Sequence, residues 1–177
     1  LEAARMMKIK YPDDVMFVMV SYLPIPSKVG EMKTKPTQYA VRTLNGAGIL
    51  PDVIIARSET YLDQKRKEKI AMFCNIPERY VISAPDVDSI YEVLINFERD
   101  DLSRLILKKL NLPYKKTDLK EWYDLVDKIK HPNGKVKIGV VGKYFGTGDF
   151  ILSDAYISVL EAIKHAAHKN ELKPEIS

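Results

Sequence analysis

Three short apolar runs, each followed by a stretch of helical spacing, constrain this chain more than any other feature. They are Val15-Met16-Phe17-Val18-Met19-Val20, Asp52-Val53-Ile54-Ile55-Ala56 and Tyr80-Val81-Ile82-Ser83. An uninterrupted apolar run fits a strand covered on both faces, whereas a strand with one wet face alternates. Helical patterns follow at residues 36–46, 63–74, 89–97 and 101–112. The alternation predicts an α/β fold, a parallel sheet flanked by helices. Residues 1–10 have helical spacing (Leu1, Ala4, Met7) but no start signal, and read as the tail of an element that begins earlier.

The pattern changes after residue 113. Residues 115–132 are polar and lysine-rich and hold one amphipathic helix (Leu119, Trp122, Tyr123, Leu125, Val126, Ile129) that reads as a connector. His131-Pro132-Asn133-Gly134 is a turn signal. A new strand is predicted over 135–141 and a new helix over 153–169, with Ser153 or Asp154 as its N-cap. A lone strand and helix cannot bury their own apolar faces, so the chain is expected to be cut at both ends. The organisation read here is residues 1–113, a linker at 114–134, and the start of a second domain at 135–177.

Of the 177 residues, 46% are hydrophobic and 29% charged, enough for a core inside a water-facing surface. No apolar run approaches the ~20 residues that span a bilayer, and Leu1-Glu2-Ala3-Ala4-Arg5 is charged where a secretory signal would be apolar. One cysteine excludes an internal disulfide framework and fits a reducing compartment, so a cytoplasmic location and no membrane partner are expected. A net charge of +4 invites a nucleic-acid partner. Against it, acidic and basic residues are interspersed, as in Asp63-Gln64-Lys65-Arg66-Lys67-Glu68-Lys69, with no basic platform carrying aromatics.

The chemistry concentrates in Gly30-Glu31-Met32-Lys33-Thr34-Lys35-Pro36-Thr37-Gln38. Pro36 is placed to open a helix at its first position, where a missing N–H costs nothing. Lys33 and Lys35 would then lie beside the positive end of that helix, an arrangement suited to a polyanion such as a nucleoside triphosphate. A solvated basic loop capping an ordinary helix is the competing reading. Arg57-Ser58 closes the second strand, where ligands gather in open parallel sheets; a phosphate, a neighbouring subunit and a structural salt bridge are all open for Arg57.

Other motifs carry less. Gly139-Val140-Val141-Gly142-Lys143 has too few intervening residues for a phosphate loop, and Tyr144 stands where Ser or Thr is needed; Gly146-Thr147-Gly148 lacks a third glycine. Cys74 lies in an apolar helix face without a glycine-flanked turn or a histidine, and reads as a core residue. His165 and His168 read as solvent-facing rather than metal-binding. No catalytic residue and no metal ligand is assigned.

Several segments together resemble the CTP synthase family: GEMKTKPTQ, Arg57-Ser58, Lys69-Ile70-Ala71-Met72-Phe73-Cys74-Asn75-Ile76-Pro77, Val81-Ile82-Ser83 and Asp86-Val87-Asp88-Ser89-Ile90-Tyr91. Their order and spacing match the later part of that family's amidoligase domain. Val136 to Tyr144, with Asp154-Ala155-Tyr156, resembles the opening of its glutaminase domain.

The resemblance implies a P-loop NTPase-like amidoligase portion, plus the first strand and helix of a second α/β glutaminase domain. It implies ATP-dependent amination of UTP to CTP with glutamine-derived ammonia, through a 4-phosphorylated UTP. Lys33, Thr34, Lys35, Pro36, Thr37, Gln38 and Lys69 fall on its UTP- and CTP-binding segment, and Pro85, Asp86 and Val87 beside ATP. Asp86 or Asp88 could equally cap the helix near Ser89. Lys69 taken alone is one more solvated lysine, and Phe73 reads as core, with stacking on a pyrimidine as the alternative. The resemblance further implies Mg2+ and a homotetramer. The phosphate-binding loop, magnesium carboxylates and glutaminase triad are expected outside these residues, so catalysis by this chain alone is not expected. A non-catalytic nucleotide-binding or oligomerisation module of the same type is the alternative.

Overall fold

A computed structural model describes residues 1–28, 30–116, 118–142, 146–147, 150–151 and 156–177, the pairs 146–147 and 150–151 by backbone alone. The chain forms two compact units, Leu1–Lys116 and Thr117–Ser177.

In the first unit, α1 (Glu2–Lys10) precedes three parallel strands: β1 (Val18–Tyr22), β2 (Val53–Ser58) and β3 (Val81–Pro85), in that order across the sheet. Helix α2 (Lys35–Gly46) connects β1 to β2, and α3 (Gln64–Cys74) with a short 3-10 turn (Glu78–Tyr80) connects β2 to β3. Helices α4 (Glu92–Arg99) and α5 (Leu102–Lys109) follow. The period-2 alternation of a strand sorts the core into two layers. Ile54, Ala56 and Val81 join Leu23, Val41, Ile70 and Cys74, the last three drawn from α2 and α3. Their neighbours Val53 and Ile82 face the other way and pack with Tyr80, Leu102 and Leu105. The central strand is therefore covered on both faces, as its continuous apolar run requires.

The first strand departs from expectation twice. It starts at Val18 rather than Val15, because the Phe17 N–H donates to the Asp52 carboxylate at 2.8 Å instead of to a strand partner. Its outer face is also open: Val18, Val20 and Tyr22 are exposed, since α4 and α5 come after β3 and pack on that side of the sheet.

Helix boundaries follow local chemistry. Pro36 occupies the second helical position rather than the first, a one-residue shift that leaves its ring harmless. Gly48 ends the α2 region at φ +75°, and a Cβ there would sit 2.8 Å from the Arg5 side chain. Asp63 caps α3 by accepting the Arg66 N–H at 2.8 Å, and Asn75 closes it in the left-handed region. Neither Asp86 nor Asp88 caps α4: the helix starts at Glu92, and the Ser89 hydroxyl accepts the Tyr91 N–H at 3.4 Å.

The second unit holds α6 (Lys120–Lys130), β4 (Gly134–Ile138), the short antiparallel pair β5 (Gly146–Thr147) and β6 (Phe150–Ile151), α7 (Ile157–Lys169) and β7 (Leu172–Ile176). β7 pairs parallel with β4, from Gly134 opposite Leu172 to Ile138 opposite Ile176. This corrects the expectation that the last strand and helix stand without partners. Lys173, Pro174 and Glu175 disguise β7, yet a strand at the margin of a sheet tolerates proline because one row of its N–H groups needs no partner. α7 begins at Ile157, and the anticipated cap residues Ser153 and Asp154 lie outside the described residues. Among the described residues, no helix is long and apolar enough to cross a membrane.

Candidate functional site

The segment between β1 and α2 folds back on itself. Gly30 takes φ +63° and donates its N–H to the Pro26 carbonyl at 2.9 Å, and the Lys33 N–H reaches the Pro24 carbonyl at 2.9 Å. From Glu31 on, side chains alternate: Met32 and Thr34 are buried, while Lys33 and Lys35 reach solvent. The buried pair anchors the loop and so aims both lysines outward. The first turn of α2 is pinned by Thr37, fully buried, whose hydroxyl lies 2.8 Å from that of Ser21 on β1. Gln38 reaches back, its amide donating to the Thr34 hydroxyl at 3.1 Å.

Helix α3 supplies the opposite wall. Lys65, Arg66 and Lys69 line one cavity of about 450 Å³ together with Lys33, Thr34, Lys35, Met32 and Glu31. Among the described residues that line it, five cations thus face a single carboxylate. Arg66 is held in place by its Nε–H to the Met32 carbonyl at 3.3 Å and by an ion pair with Asp63. Glu31 accepts from Lys33 at 2.7 Å and lies 3.5 Å from Arg66. The hydrogen bond from Lys33, then its charge and those of Arg66 and Lys69, hold the Glu31 carboxyl below the ordinary carboxylate range.

Of the residues predicted for the pyrimidine nucleotide, the structure gathers Lys33, Thr34, Lys35 and Lys69. Pro36, Thr37 and Gln38 do not line the cavity; Pro36 is exposed, and the other two hold the loop and the first turn together. Lys65 and Arg66 were missed. They looked like part of a solvated charge run, and a helical wheel would have placed them beside Lys69, one turn on. Lys67 of the same run points elsewhere, into an ion pair with Asp100 at 2.8 Å with both side chains mostly buried.

Phe73 is not core. It is 58% exposed, because α3 buries Ile70, Ala71 and Cys74 instead. At four residues beyond Lys69 it stands on the same side of the helix. Cys74 is buried, and burial pushes its thiol up to about 11, which keeps it protonated and unreactive at neutral pH.

The second predicted group sits at the C-terminal ends of β2 and β3. Pro85 is buried opposite Ser58 in the ladder, Asp86 is exposed, and the Asp86 N–H donates to the Ser58 carbonyl at 2.9 Å. Arg57 makes a salt bridge: its guanidinium donates to the Asp86 carboxylate at 2.8 Å, with both side chains exposed. Because all three strands run parallel, this group and the cationic cavity lie at the same edge of the sheet, where crossover loops meet. Among the described residues, no three His, Cys, Asp or Glu side chains converge as a metal site.

Comparison with known proteins identifies the family. Residues 1–112 match the family model described as CTP synthase N-terminus. The chain is 44% identical over 178 residues to the CTP synthase of Methanocaldococcus jannaschii, with 100% of this chain and 32% of that protein covered. It is 46% identical over 177 residues to the Pyrococcus furiosus CTP synthase, with 99% and 32% covered. The same identity over 167 residues relates it to the Caldanaerobacter subterraneus CTP synthase, with 94% and 30% covered. The chain therefore spans about a third of the length of the curated relatives it matches. On the match across its first unit and these relatives, the chain belongs to the CTP synthase family.

Proposed function

We propose that this chain supplies the nucleotide-binding part of an enzyme that aminates UTP to CTP with ATP and glutamine-derived ammonia. The observation that carries the reading is the cavity in which Lys33, Lys35, Lys65, Arg66 and Lys69 face one carboxylate. A triphosphate brings about four negative charges, and a cluster of fixed cations matches it where a single lysine would not. Lys33, Lys35 and Lys69 hold the phosphates of UTP, and of CTP as product. Thr34 contributes from the loop, while Thr37, Gln38 and Pro36 fix the direction from which the lysines reach. The exposed ring of Phe73 stacks against the pyrimidine one helical turn beyond the Lys69 ammonium.

ATP lies along the ends of β2 and β3. Pro85 shapes the floor, Asp86 holds Arg57, and the Val87 backbone faces the adenine edge. Bound ATP supplies the phosphoryl group that activates the UTP 4-oxygen. The described residues of this chain bind and orient; none of them is assigned to the transfer. Mg2+, glutamine, a homotetrameric assembly and a cytoplasmic location complete the proposal, with the magnesium ligands assigned outside this chain.

The test is Lys33→Ala and Lys35→Ala in a full-length protein carrying this chain. Each removes a charge-assisted phosphate contact worth about 1.5–3 kcal/mol. UTP affinity should fall by about tenfold or more in each, and unchanged affinity in both overturns the assignment.

A further inference from the structure

We propose that Glu31 is a built-in counter-anion of the cationic cavity, a tethered carboxylate that the incoming phosphates must displace. The inference rests on the nucleotide reading and adds a regulatory element to it. Among the described residues, Glu31 is the one acidic side chain lining a cavity with five cations. It is already engaged, with one oxygen 2.7 Å from the Lys33 ammonium and the other 3.5 Å from the Arg66 guanidinium.

Lys33 cannot offer its full charge to a phosphate while it donates to Glu31. The Glu31 side chain is 58% exposed, so it can turn into solvent once a stronger anion arrives. It is also tethered two residues before Lys33, with the left-handed Gly30 behind it, so it never leaves the vicinity. The free cavity is therefore partly self-neutralised. An anion that recruits several cations at once overcomes the tethered carboxylate, whereas a singly charged anion gains too little to do so. The device tempers affinity and keeps weak, abundant anions out of the cavity.

The test is Glu31→Gln in a full-length protein carrying this chain, titrated calorimetrically with UTP and with inorganic tripolyphosphate. Glutamine keeps the size of the side chain and removes its charge. Both probes should bind about three- to tenfold tighter at low ionic strength, the gain shrinking in high salt as screening sets in. The gain should also shrink in a Lys33→Ala background, because the cation that Glu31 occupies is then gone. Unchanged or weaker binding by Glu31→Gln, with Lys35→Ala still weakening UTP, overturns the counter-anion role and leaves the nucleotide site standing. Unchanged UTP binding by both Lys33→Ala and Lys35→Ala overturns the two together.

Discussion

Asp52 offers the sharpest energetic test of the first unit, because one mostly buried carboxylate joins four segments. Its side chain is only 10% exposed, accepts the Phe17 N–H at 2.8 Å, and meets Lys109 at 2.8 Å and Lys8 at 3.7 Å. Phe17 leads into β1, Lys109 ends α5 and Lys8 belongs to α1, while Asp52 itself introduces β2. Asp52→Ala removes a charged acceptor from a half-buried N–H, which costs about 1.5–3 kcal/mol. The Lys109 pair adds at most about 1 kcal/mol, since that ammonium is 40% exposed and screened by water.

Together these give about 2–4 kcal/mol for Asp52→Ala. Asp52→Asn keeps an acceptor for Phe17 and should cost about half as much. Urea denaturation followed by far-UV circular dichroism measures the total, and amide hydrogen exchange at Phe17 and Val53 localises it. Lys109 adds a pH signature. Its hydrogen bond to Asp52 raises its pKa in the fold above the ordinary 10.5. A raised pKa gives stability that is complete below the unfolded value and is lost as pH rises through the folded one. The pair should therefore persist to strongly alkaline pH, and the difference between wild type and Asp52→Ala should narrow only above about 10.4. An Asp52→Ala cost below about 0.5 kcal/mol, or an Asn variant as damaged as Ala, refutes the reasoning.

Two further substitutions separate ligand contact from packing. Phe73→Ala should change stability by less than about 0.5 kcal/mol, as for exposed positions generally, yet weaken UTP binding measurably in calorimetry; a large stability loss with unchanged binding would return Phe73 to the core. Cys74→Ser should leave UTP affinity unchanged while costing about 1–3 kcal/mol, since it buries a hydroxyl in an apolar cluster. The native thiol should resist iodoacetamide at neutral pH until the protein is unfolded.

Much of the first unit was legible in the sequence because its signals are strong and local. Continuous apolar runs marked β2 and β3, Pro36 marked the start of α2, and Asp63 marked the start of α3. The two lysines beside Pro36 were visible in the sequence for the same reason, although a solvated basic loop fits the same residues; what the sequence did not show is that α3 brings further cations to face them. What failed depended on neighbours distant in sequence. The Phe17 N–H was captured by Asp52, 35 residues away, which moved the start of β1. Asp86 turned to Arg57 rather than to the helix it precedes, a choice made by the register of β2 and β3. β7 escaped because a charged, proline-bearing segment becomes a strand only when β4 is there to pair with it. Lys65 and Arg66 were hidden in a charge run whose members divide between the cavity and an ion pair with Asp100.

The central claim is that these converging cations hold the phosphates of a pyrimidine nucleotide. The most direct measurement is a structure of a full-length protein carrying this chain, determined with UTP bound. Phosphate oxygens within hydrogen-bond distance of the Lys33, Lys35 and Lys69 ammonium groups, with Glu31 turned away, are the predicted result. UTP seated elsewhere, with Glu31 still paired to Lys33, would contradict it.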